Sequence, residues 1–92
     1  MPASAGTSFP FTCTGEGDVD LRFGLFVEGG GYVERYDGPT PVLWYEQNGV
    51  TVIVEEADPT VFVVSFVSET GNAMVPYEAG ALMPAQCRVG AE

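Results

Sequence analysis

The chain has 92 residues, 13 of them acidic and only 3 basic, no His, and a formal net charge of −10 at pH 7. That length supports one domain with a single modest core. The charge argues against nucleic-acid binding through phosphates, which requires Lys and Arg, and the lack of His removes the commonest general base and metal ligand. No run of 18 apolar residues occurs, so no helical membrane span is expected.

Val and aromatic residues dominate the apolar fraction, with 12 Gly and 7 Pro as punctuation. This composition suits pleated, half-buried surfaces and points to an all-β chain. The charged fraction of 17% is too low for a disordered acidic tail. The absence of Lys suggests a GC-rich genome, or one of its viruses, with a halophile as the second explanation.

Residues 1–8 are small and polar apart from Met1 and Pro2, and read as an extended N-terminal arm ahead of a single β domain over residues 9–92. The segment lacks the basic and apolar regions of a signal peptide, although Ala3-Ser4-Ala5 resembles the end of a cleavage site. If Met1 replaces a leader, the protein is exported; if Met1 is native, the chain starts in the cytoplasm.

Phe9–Thr14 is the first expected strand, followed by a turn at Glu16-Gly17-Asp18. Val19–Val27 alternates, with Val19, Leu21, Phe23, Leu25 and Val27 on one face. Glu28-Gly29-Gly30-Gly31 turns the chain, Tyr32–Tyr36 returns, and Asp37-Gly38-Pro39 turns it again. Asn48-Gly49 between Val42–Gln47 and Val50–Glu55 predicts a two-residue type I′ hairpin. Its register pairs Tyr45 with Val52 and Leu43 with Val54 on one face, which is expected to be core. The other face pairs Trp44 with Ile53 and Val42 with Glu55, and is expected to be covered by another part of the fold or exposed to a partner.

Thr60–Ser68 is apolar on both faces and therefore central. Ala73–Tyr77 is short, and Pro76 marks it as an edge or a bulge. Leu82–Val89 is the last strand, and one short helix could lie within Tyr77–Met83. Seven to eight short strands joined by tight turns predict a small antiparallel β-sandwich or partly closed β-barrel.

Cys13 lies in the first expected strand and Cys87 in the last. First and last strands are neighbours in a closed sheet, so a bridge is geometrically reasonable; by chain-entropy reasoning a loop that long gives about 4.5 kcal/mol. Two reduced, buried thiols are the alternative. Two Cys without His do not make a zinc site.

Ser4, Ser8, Ser65, Ser68, Cys13 and Cys87 are the Ser and Cys nucleophile candidates, but none has a His or Lys base to activate it. Carboxylate pairs need neither; Glu55-Glu56, Asp18 with Asp20, and Glu46 near Glu55 are the nearest pairs. Glu16, Asp18 and Asp20 alternate as hard-cation ligands do, but without EF-hand spacing, and a solvated strand entry is the better reading of them. The glycine run 29–31 precedes no helix and has no Lys, so it reads as a hairpin tip. The acids are scattered over nearly every turn, unlike the one-sided array of a DNA mimic. No catalytic group, cofactor or metal is expected.

Phe26, Tyr32, Tyr36, Val42, Trp44 and Ile53 form the expected interface set, because so small a core cannot take every aromatic and the Val42–Trp44–Ile53 face awaits a cover; the alternative is that Tyr32, Tyr36 and Tyr45 line the rim of the core with their hydroxyls wet.

The placement of Cys13 in Phe11-Thr12-Cys13 and of Cys87 near the end resembles small exported lysozyme inhibitors. The resemblance covers only the two ends, and implies a barrel whose first strand is tied to its last. Those inhibitors carry a Ser-Gly-x-x-Tyr loop; here Thr70-Gly71 is followed by Tyr77 at a different spacing, so the inhibitory motif is missing. In size, composition and architecture the chain also resembles viral decoration and tail-assembly proteins.

The resulting expectation is a non-enzymatic structural or assembly protein docking on a larger protein complex, a virion above all. The alternative is an exported, disulfide-closed binder or inhibitor of a basic partner, periplasmic or secreted. Neither reading involves nucleic acid or membrane, and the first admits self-association within an assembly.

Overall fold

In the computed structural model, residues 8–16, 19–76 and 80–90 are described. Eight strands follow one another as a meander: β1 (Ser8–Gly15), β2 (Asp20–Phe26), β3 (Gly31–Arg35), β4 (Gly38–Gln47), β5 (Val50–Glu55), β6 (Phe62–Val67), β7 (Asn72–Pro76) and β8 (Leu82–Val89). Each pairs antiparallel with the next, and β8 pairs antiparallel with β1, which closes the sheet into a barrel. Closure leaves no strand without a neighbour on each side, so Pro76 sits at the last position of β7 rather than in an edge strand. Among the described residues no helix is long and apolar enough to cross a membrane.

The turns follow from local chemistry. Asn48 (φ 55°) and Gly49 (φ 82°) take the left-handed conformations of a type I′ turn, and the β4–β5 register is Gln47 with Val50, Tyr45 with Val52 and Leu43 with Val54. At the β2–β3 turn the Phe26 N–H donates to Gly30 O (3.0 Å) and the Gly29 N–H to Phe26 O (3.0 Å). Ser8 belongs to β1 and pairs with Phe26, so the strand starts at the last residue of the expected arm, one residue before the expected strand; residues 1–7 lie outside the described set. Leu82 and Met83 are strand residues, and the rest of the expected helix falls largely on residues 77–79, also outside that set.

Eight strands enclose an interior just wide enough for side chains to fill. Phe23, Val33, Val42, Ile53 and Val64 occupy it with the Cys13–Cys87 disulfide. Phe11 stacks on Phe23 (centroids 5.0 Å apart) and both rings meet Phe66 from β6, at 5.1 and 6.0 Å, so three phenylalanines bridge the interior. Between β5 and β6 the register slips at Ile53 and Val54: Ile53 pairs with Val64, Val54 with Phe62, and Val63 is the extra residue of a bulge. The bulge buries Val63 and Val64 together, which strict alternation forbids.

The expected assignment of faces on the β4–β5 hairpin is inverted in the structure. Val42 (1% exposed) and Ile53 (0%) point inward, whereas Leu43 (39%) and Tyr45 (50%) point outward. The pairing explains why: Phe23 opposite Phe11 and Val33 is interior, and carrying that parity through Leu25, Gly31 and Val42 places the Val42–Trp44–Ile53 face inside.

Candidate functional site

The inversion leaves an uncharged, largely apolar surface on the outside of the barrel. The outward positions are Leu43, Tyr45 and Gln47 on β4, and Val50, Val52 and Val54 on β5. They continue as Phe62, Ser65 and Val67 on β6, and Asn72, Met74 and Pro76 on β7. None of these side chains is charged. The opposite outer wall carries Asp20, Arg22 and Glu34, with an Asp20–Arg22 ion pair at 3.7 Å. The barrel is therefore two-sided, with one charged wall and one that is charge-free. The apolar wall spans three strand spacings of about 4.8 Å and five residues at about 3.3 Å, or about 14 by 17 Å. That is about 240 Å², a part of the about 800 Å² that each partner contributes to a standard interface.

A second feature lies at the end of the barrel where β1 begins and β8 ends. Phe9, Val27 and Val89 form an exposed apolar rim around a cup of about 350 Å³. Phe11, Leu25, Trp44 and Phe66 make up its inner surface. The Trp44 indole N–H donates to Phe26 O (3.2 Å), which anchors the ring in the wall. The polar groups of the cup gather on one side: Ser68 Oγ lies 3.5 Å from Glu46 Oε2 and 3.3 Å from Thr51 Oγ1.

The interface set expected from sequence is dispersed. Val42 and Ile53 are core residues and cannot contact a partner. Trp44 is half-buried in the cup, and Phe26 borders it. Tyr32 lies on the outer surface against Phe26 (6.3 Å between centroids) and across Gly24, where a Cβ would sit 2.6 Å from the tyrosine ring. Tyr36 is fully exposed in the β3–β4 turn, at the other end of the barrel. Sequence reasoning assigned Leu43, Tyr45, Val52 and Val54 to the core and overlooked Phe9, Phe11 and Val89 as lining of an open end.

Cys13 and Cys87 face each other across the β1–β8 pairing and are disulfide-bonded. Glu46 and Glu55 do not lie together. Glu55 is held by Arg35 at 3.0 Å, and it lies four residues along β5 from the partner of Glu46, about 13 Å away. That exceeds the separations at which glycosidases work. Asp18 lies outside the described residues. Among the described residues no cluster of His, Cys, Asp and Glu could hold a metal ion.

No family model matches the sequence, and no curated protein or solved structure matches the chain.

Proposed function

We propose that the protein is a non-enzymatic interaction module that docks on a larger protein assembly through the outer face of β4–β7. The observation that carries this reading is the charge-free row that includes exposed Leu43, Tyr45 and Met74 on a molecule of net charge −10. A charge-free face set against a charged opposite wall suits the charge-depleted centre of a protein contact. A single face of this size suits a small subunit seated on a larger neighbour.

The disulfide fits a setting in which such bonds persist, which includes virion surfaces as well as exported complexes. With the Lys-free composition, a virion shell or tail is the assembly we favour.

Tyr45→Asp and Val52→Asp test the reading. Each places a carboxylate in the middle of the face without touching the core. Both variants should fold, with thermal midpoints within a few degrees of the parent, and should fail to incorporate into the assembly. Incorporation at the parental level would contradict the proposal.

A further inference from the structure

We propose that the open mouth of the barrel is a separate ligand site for a small amphiphilic cation, an alkyl- or arylalkyl-ammonium ion, with its apolar body in the cup and its charged head at Glu46. The site lies at the end of the barrel and not on the outer wall of β4–β7, so it goes beyond the docking reading.

The cup holds about 350 Å³, within the range of small-molecule sites and enough for about a dozen heavy atoms at about 30 Å³ each. Its floor is already packed by the Phe11–Phe23–Phe66 cluster, so the cup is a closed-bottomed recess rather than a channel. Phe11, Trp44 and Phe66 offer aromatic surface to an apolar body. The head-group chemistry comes from Glu46. Ser68 can donate to its carboxylate while accepting from Thr51, which leaves most of the carboxylate lone pairs free.

Among the described residues the ion pairs are Asp20–Arg22 and Arg35–Glu55, and neither involves Glu46. An anionic amphiphile would meet that carboxylate and the field of a molecule carrying −10. A neutral one would make no use of that exposed carboxylate. A cation places its charge against it and keeps its apolar body on the aromatic lining.

Trp44 is the only tryptophan of the chain and lines the cup, so its emission reports occupancy. The full chain is titrated with octylammonium, octanol and octanoate below their micellar concentrations. Octylammonium should shift the emission saturably, with the other two at least tenfold weaker. Glu46→Gln should weaken octylammonium about tenfold, whereas Glu34→Gln, the same charge change on the outer wall, should leave it unaltered. Ser68→Ala provides a second change at the head-group site and should alter the octylammonium affinity by a smaller factor.

Equal binding of octanol, equal effects of the two glutamine variants, or no saturable shift would overturn the proposal. A shift seen only after deletion of residues 2–7 would overturn it too, by showing that the chain's own N-terminal segment occupies the cup.

Discussion

Ile53 and Leu43 lie on the same hairpin and carry comparable apolar volume, yet one is wholly enclosed and the other is 39% exposed. Truncating Ile53 to Ala removes packed atoms from the barrel interior and should cost about 2–5 kcal/mol in urea unfolding. Leu43→Ala should cost less than about 1 kcal/mol, since its methyl groups already meet water. The reverse order would mean that the faces are as the alternation alone suggested. Asp58 offers a test of a different kind. Its carboxylate accepts from Thr60 Oγ1 (2.7 Å) and from the Thr60 N–H (3.2 Å), and these bonds hold its pKa below the ordinary 3.8. A depressed folded-state pKa contributes stability that is present above the unfolded value and lost as pH falls through the folded one. Thr60→Val should therefore raise the Asp58 titration midpoint in a carboxyl NMR experiment, and an unchanged midpoint would show that the hydroxyl bond does not set it.

At the scale of elements, strands and turns were legible because their signals are local. Asn48-Gly49 fixes both the turn and the register, so Tyr45 meets Val52 as expected. Position 49 needs a left-handed backbone (φ 82°), and Gly49→Ala should cost about 1 kcal/mol of stability. Which face of that hairpin is interior was not legible from the hairpin. Both faces carry apolar side chains, and the more apolar one turned outward. The decision comes from closure: Phe23, Gly31 and Val42 transmit the interior parity from β1 to β4, strand by strand. The bulge at Val63 is likewise invisible in a run apolar on both sides. The mouth escaped detection because Phe9 and Val89 are distant in sequence and meet only when the barrel closes. Gly31 is a sensitive point of that closure, since a Cβ there would collide with the backbone of Gly24; Gly31→Ala should destabilise the barrel well beyond the cost at Gly49.

On the scale of the whole molecule, one covalent link joins the strands at which the sheet closes. By chain-entropy reasoning, replacing Cys13 and Cys87 together by Ser should lower stability by up to about 4.5 kcal/mol, an upper value because the reduced chain retains some structure. The proposal that the protein docks on a larger assembly rests on the contrast between the charged wall and the charge-free wall of the closed barrel. Rate-zonal sedimentation of the native source lysate, with this chain followed by mass spectrometry, tests that claim most directly. Co-migration with a particle in the megadalton range is the result predicted here; a 9.8 kDa monomer remaining at the top of the gradient would contradict it.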